Sequence, residues 1–358
     1  MEQGPVALRQ TGSKRPTVGN RMSKSHRVWV SRPLFPEVLA HLAQYVDVRA
    51  ETDERQRPPA ELREKLADVD GAIVGLGERI DAGVIAGNRK LRVVANLAVG
   101  YNNLDVPALT AAGILATNTP DVLNETTADY AWTLLLAAAR RVSSAERWLR
   151  AGQWREGMRF HDWLGMDVHG KTLGILGMGR IGQAIARRAY GFGMPVLYHN
   201  RSRLPENIER DCRARWVEKA DLLRRADHLI LVLPYNAQNH HAIGAAELAL
   251  MKPTAVLVNI ARGGIVDDAA LAVALRERRL AAAGLDVFEG EPSVHPALLE
   301  LDNAVLSPHI GSASADTRRA MARLAADNLL AALGHGPDAG HPPSLLNPEA
   351  WVDLNHSA

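Results

Sequence analysis

Arg262, Glu291 and His309 each stand just past a short apolar run: A-V-L-V-N-I-A-R, A-A-A-G-L-D-V-F-E-G-E and A-V-L-S-P-H. An arginine grips a carboxylate through paired N–H donors, and a histidine exchanges a proton near neutral pH. A neighbouring glutamate favours the charged imidazolium. Together they offer what reduction of a 2-keto acid needs: a cation for the carboxylate and carbonyl, a proton donor, and an anion that keeps the donor charged. Taken singly, each has an ordinary use, Arg262 in a turn, Glu291 at the surface and His309 as a cap or in a core. They act together only if separate strands end at one rim, as they do in an open parallel sheet.

The stretch 172–182, T-L-G-I-L-G-M-G-R-I-G, predicts a strand, a tight turn and a helix on which Ile181, Ile185 and Ala189 share one face. Gly177 suits a backbone angle that side chains forbid, Gly179 lets the main chain approach a pyrophosphate, and Gly182 lets the helix pack on the strand. The unpaired amides that open such a helix face phosphate. Cofactor contacts are therefore expected at Gly177, Met178, Gly179, Arg180, Ile181 and Gly182. The strand-end residues Leu233, Pro234, Ile260 and Ala261 add to them, as does Gly311, and Asp286 is placed to fix a nicotinamide carboxamide.

A second strand, 195–199, follows at the distance of a βαβ unit and ends in Asn200, Arg201, Ser202 and Arg203. An NAD enzyme would place an acid there to meet the ribose 2′-hydroxyl. Guanidinium groups and a serine hydroxyl suit a 2′-phosphate instead, so NADP(H) is the expected cofactor and NAD(H) the alternative. The competing explanation is a pair of solvated surface arginines.

With 358 residues, 47% hydrophobic and 23% charged, the chain has room for two domains with separate cores. A formal charge of +2 gives no reason to expect nucleic acid, and no apolar run reaches membrane-spanning length. The single cysteine, Cys212, excludes an intrachain disulfide and fits a reducing, cytoplasmic setting. Residues 1–25 are polar, without the apolar core of an export signal, and are expected to be a disordered leader or tag.

Apolar runs alternate with helical patterns from Arg27 to about Pro120 and again from His169 onward, which predicts an α/β protein with two doubly wound parallel sheets and a cleft between them. The Rossmann cofactor domain, 122–310, is expected to be inserted into a flavodoxin-like substrate domain, 26–121 with 311–340. Residues 341–358 then form a tail. A long helix from Asn124, capped by that residue, should bridge the two, and a final helix near 315–333 should return its stripe of Met321, Leu324, Leu329 and Leu330 to the first sheet. His240 and His241 are adjacent, so their rings are expected to diverge, and no metal site is expected.

The segments N-I-A-R-G-G-I-V-D, A-G-L-D-V-F-E-G-E-P and S-P-H-I-G-S-A, together with G-M-G-R-I-G, resemble the signatures of the D-isomer-specific 2-hydroxyacid dehydrogenases. Within that family, L-A-V-G-Y-N-N and the glycine-loop segment are most similar to bacterial glyoxylate/hydroxypyruvate reductases that also reduce 2-ketogluconate. The resemblance implies His309 as general acid, Glu291 as its partner and Arg262 as substrate clamp. It also implies substrate contacts at Val99 and Gly100, at Gly75 and Leu76, and at Ser312. A homodimer is implied, with residues 131–163 reaching the neighbouring subunit. Glu291 argues against formate dehydrogenases, which carry glutamine there, and the short segment after Leu333 leaves no room for a phosphoglycerate dehydrogenase regulatory domain. A phosphite-oxidising relative and a dinucleotide-sensing corepressor stay open as alternatives.

Overall fold

The computed structural model describes residues 25–351, so the expected leader, except Ser25, and the last seven residues lie outside the described part. Two separate all-parallel sheets form. The first contains β1 (Arg27–Val30), β2 (Asp47–Ala50), β3 (Gly71–Val74), β4 (Val93–Asn96) and β5 (Leu115–Thr117), in the spatial order β2-β1-β3-β4-β5. The second contains β6 (Leu173–Leu176), β7 (Val196–His199), β8 (Ala214–Trp216), β9 (His228–Leu231), β10 (Val256–Asn259), β11 (Ala282–Leu285) and β12 (Ala304–Leu306), in the order β12-β11-β10-β9-β6-β7-β8.

Both sheets are covered by helices on their two faces, which is why their central strands read as unbroken apolar runs. β3, β4, β6, β9, β10 and β11 are buried at every position. In the second sheet the chain runs outward from β6 to β8, then resumes at β9 on the other side of β6. The glycine turn after β6 therefore lies at the point where strand order reverses, where open sheets leave a crevice for ligands. The first sheet has the same kind of reversal between β1 and β3.

The helix Asn124–Ala139 lies against β10 and β11 of the second sheet and against the helix that follows the glycine turn. It starts one residue earlier than expected: Leu123 holds the cap position and makes no side-chain cap, while Asn124 is already helical and turns its amide to Asp121. The helix Ala315–Ala332 closes back on β3, β4 and β5. Met321, Leu329 and Leu330 are buried there as expected, whereas Leu324 is half-buried and Ala322, Ala325 and Ala326 complete the contact face.

The segment expected as a tail is docked on the open edge of the first sheet. Leu345 forms an antiparallel bridge to Thr117, and Leu346 N–H donates to Ala116 O at 2.8 Å. Asn347, fully buried, accepts from Ala116 N–H at 2.8 Å and donates to Ile114 O at 2.9 Å and Thr110 Oγ1 at 3.0 Å. An edge strand exposes unpaired backbone groups, and this segment satisfies them. Pro342 and Pro343 suggested a plain loop because side-chain pairing of this kind has no periodicity to read. Asn347→Ala should lower unfolding stability by about 1–3 kcal/mol for each buried partner left unmade; urea denaturation midpoints that match wild type would remove Asn347 as the edge lock.

Candidate active site in the inter-domain cleft

The carboxyl ends of both sheets face a cleft whose cavity measures about 580 Å³. β10 delivers Ile260, Ala261 and Arg262, β11 delivers Asp286, and β12 leads through Ser307 and Pro308 to His309. Parallel register puts these residues at one rim, so the three polar groups singled out by sequence arrive together. His309 Nδ1 lies 2.8 Å from Glu291 Oε2, and Phe288 N–H donates to Glu291 Oε1 at 2.9 Å. Burial pushes the Glu291 carboxyl up, but the His309 bond and charge, with the Phe288 amide and Arg262, outweigh it and hold the group below its ordinary value.

His309 has φ +54°, a left-handed conformation that costs a histidine about 1–3 kcal/mol. Asp286 holds it there. Its backbone carbonyl accepts the His309 N–H at 2.9 Å, while its buried carboxylate accepts from Ser307 Oγ at 2.7 Å, Ile310 N–H at 2.9 Å and Gly311 N–H at 2.7 Å. Burial still pushes the Asp286 carboxyl up despite those donors. Asp286 lines the cleft, but its oxygens are chiefly engaged in shaping the turn that presents His309.

Arg262 donates through Nη1 to Ala261 O at 2.7 Å and reaches across the cleft to the first domain. A Cβ on Gly100 would lie 1.7 Å from Arg262 Nη2, so only glycine leaves room for the guanidinium. Burial pulls the Arg262 guanidinium down from its usual range and the Glu291 charge opposes this. The carbonyls of Val99 and Gly100 are tied back by Asn118 at 2.8 Å and Asn96 at 2.9 Å, while their N–H groups donate to no described residue. Gly75 differs: its N–H is already taken by Glu78 Oε2 at 2.7 Å. Leu76 and Ser312 line the cleft.

Two further arginines line the same cavity, Arg32 and Arg318. Arg32 Nη2 pairs with Glu78 at 3.0 Å, and Glu78, 1% exposed, also accepts from Ser31 Oγ at 2.9 Å. Burial, with Arg32 nearby, pulls the Arg318 guanidinium down. Arg32, like Arg262, stands just past an apolar strand, β1, and that position is its signal in the sequence. Arg318 carried no such signal, because it sits on the polar side of the first turns of a helix.

At the glycine turn, Gly177 has φ +102°, and a Cβ there would press on the backbone of Leu233 at 2.7 Å. A Cβ on Gly182 would meet Gly177 O at 2.5 Å, whereas around Gly179 the space is open. Gly179 caps the helix Arg180–Ala189 with no side chain, so the first amides of that helix have no intrahelical acceptor. Met178 buries its side chain and gives only its N–H, to Asn200 Oδ1 at 2.6 Å. Ile181 and Ile260 line the cleft, but Pro234 turns its carbonyl to Asn239 at 2.9 Å.

The basic loop divides in two. Arg201, Ser202 and Arg203 are all exposed, but Arg203 donates through Nε and Nη2 to Glu209, at 3.0 and 2.6 Å, whereas Arg201 has no ion-pair partner among the described residues. His240 and His241 also depart from expectation. Their rings stack with centroids 3.9 Å apart, because His241 takes φ +49° and the turn breaks the alternation of neighbouring side chains.

The Arg203 guanidinium holds the Glu209 carboxyl down to about 2. A depressed carboxylate stabilises the fold above its ordinary value of 4.5 and ceases to do so as pH falls toward 2. Wild type should therefore exceed Glu209→Gln in stability at neutral pH, and the two denaturation midpoints should converge as pH falls through that window. Parallel curves would show that the pair contributes nothing through its charge.

The NAD-binding domain of the D-isomer specific 2-hydroxyacid dehydrogenases matches residues 132–311. A glyoxylate reductase of Thermococcus gammatolerans is 48% identical over 326 residues, 90% of this chain and 96% of that protein. One from Aeropyrum pernix is 47% identical over 91% of this chain and 97% of that protein. Among solved structures, an NADPH-dependent glyoxylate/hydroxypyruvate reductase from Sinorhizobium meliloti, in complex with NADP and malonate, has a TM-score of 0.80 at 37% identity, covering 91% of this chain and 97% of that one. A protein from Thermus thermophilus has a TM-score of 0.82 at 40% identity, covering 89% and 99%. With its paired parallel sheets, its glycine turn and that likeness over nearly its whole length, the chain belongs to the D-isomer specific 2-hydroxyacid dehydrogenase family.

Proposed function

We propose that the protein is an NADPH-preferring reductase of small 2-keto acids, glyoxylate and hydroxypyruvate first and 2-ketogluconate as a larger third, giving D-2-hydroxy acids. The observation that carries this reading is the His309–Glu291 pair, bonded at 2.8 Å, in the cleft that Arg262 also lines. In this mechanism Arg262 holds the substrate carboxylate and polarises the carbonyl, and the free amides of Val99 and Gly100 receive the carboxylate from the other side. A nicotinamide, when bound, would supply the hydride. His309 Nε2 gives the forming alkoxide its proton, and Glu291 orients the ring through Nδ1.

The glycine turn fits a dinucleotide: the open space at Gly179 and the unpaired amides that follow suit a pyrophosphate. The preference for a 2′-phosphate rests on Arg201 and Ser202, with Arg203 drawn partly away by Glu209. Residues 142–164 present Leu149, Trp154, Met158 and Phe160 as exposed apolar groups, with Phe160 91% exposed. Such a surface calls for cover, and a homodimer through this arm is the proposed assembly.

The decisive experiment is kcat/KM for glyoxylate and hydroxypyruvate with saturating NADPH and with saturating NADH. Turnover favouring NADPH supports the whole reading, turnover favouring NADH removes the role of Arg201, and none with either removes the reductase. His309→Ala should lower kcat by about 10²–10⁴-fold with cofactor affinity kept. Gly100→Ala should lower kcat/KM by about 10²-fold by displacing Arg262; activity equal to wild type would show that the clamp does not depend on that contact. Light scattering should give a dimer mass, and Phe160→Asp should shift it toward monomer.

A further inference from the structure

The turn Tyr235–His241 sits behind the loops that carry Arg262 and Glu291. His241 N–H donates to Gly264 O at 2.7 Å, two residues past Arg262, and His241 Nε2 lies 3.0 Å from Glu289 Oε2, two residues before Glu291. His240 stacks on His241, and one ligand atom from each of His240, His241 and Glu289 falls within 4.8 Å of the others. None of the three lines the cleft.

What distinguishes this cluster from an incidental surface group is the company of the rings. Tyr235 Oη lies 3.2 Å from His240 Nδ1, and Asp267 Oδ2 lies 3.9 Å from His241 Nδ1. Asp267 lies near His241 without a hydrogen bond to it, while the Tyr235 hydroxyl meets His240 at Nδ1 and orients that ring. Proteins orient metal-ligating histidines in this way. Two imidazole nitrogens and one carboxylate oxygen, on exposed or half-exposed side chains, make a donor set for zinc or a similar divalent transition metal, with water completing the coordination.

The geometry points to a divalent transition-metal site formed by His240, His241 and Glu289, where a bound ion cross-links the Tyr235–His241 turn, itself bonded to Gly264 beside Arg262, to the Glu291 loop from outside the cleft. Zinc alone serves as the probe, titrated by calorimetry into full-length protein freed of metal with a chelator that is then removed. One equivalent should bind, and the melting temperature should rise on binding. His240→Ala and Glu289→Gln should each abolish that equivalent, and Tyr235→Phe should weaken it by about tenfold. His240 is exposed, so its variant should melt like wild type without metal. Absence of saturable binding, or affinity unchanged in His240→Ala, would overturn the site.

Discussion

A single buried carboxylate shapes the floor of the cleft. Asp286 stands just past β11 and gathers the Ser307 hydroxyl and the amides of Ile310 and Gly311 on its two oxygens, with the His309 amide on its backbone carbonyl. Hydrogen bonds to a charged group are worth about 1.5–3 kcal/mol each, enough to hold His309 in a left-handed conformation, although burial still outweighs them on the carboxyl itself. Once that turn is set, the His309 ring meets Glu291. Without it the histidine would belong to a loose loop and the pair would have no fixed geometry.

The second constraint lies between the domains. Arg262 rests on Gly100, Asn102 Nδ2 donates to Tyr235 O at 3.0 Å, Arg180 pairs with Asp121 at 3.2 Å, and Thr126 Oγ1 meets Thr317 Oγ1 at 2.5 Å. These contacts are few and polar, the kind of interface across which domains can shift. The cleft is therefore assembled from two stiff sheets whose relation depends on small contacts near the site. Glu78 does for the first sheet what Asp286 does for the second: it is buried and ties Ser31, Arg32 and the Gly75 amide together.

The basic loop after β7 shows how composition and geometry diverge. Arg201 and Arg203 have the same chemistry in the sequence and both are exposed, yet Glu209 takes up Arg203 while Arg201 has no ion-pair partner among the described residues. Asn200 likewise binds the glycine turn itself, through Met178 N–H. Neighbours set six to twenty-two residues away decide which of these groups remain available to a ligand.

Much of this molecule is written locally. Apolar runs of four residues separated by helical patterns dictate parallel sheets, glycines at 177, 179 and 182 dictate the turn, and polar residues placed just past strands dictate what the rim will carry, because these depend on backbone sterics and on period. Membership of the family was legible because four short motifs resemble its signatures. Only the tertiary structure decided that Asp286 anchors a turn, that Arg318 joins Arg32 and Arg262 in lining the cleft, that residues 344–347 seal a sheet edge, and that two adjacent histidines stack. Each of these depends on partners distant in sequence or on one left-handed backbone angle, and neither leaves a periodic trace in the chain.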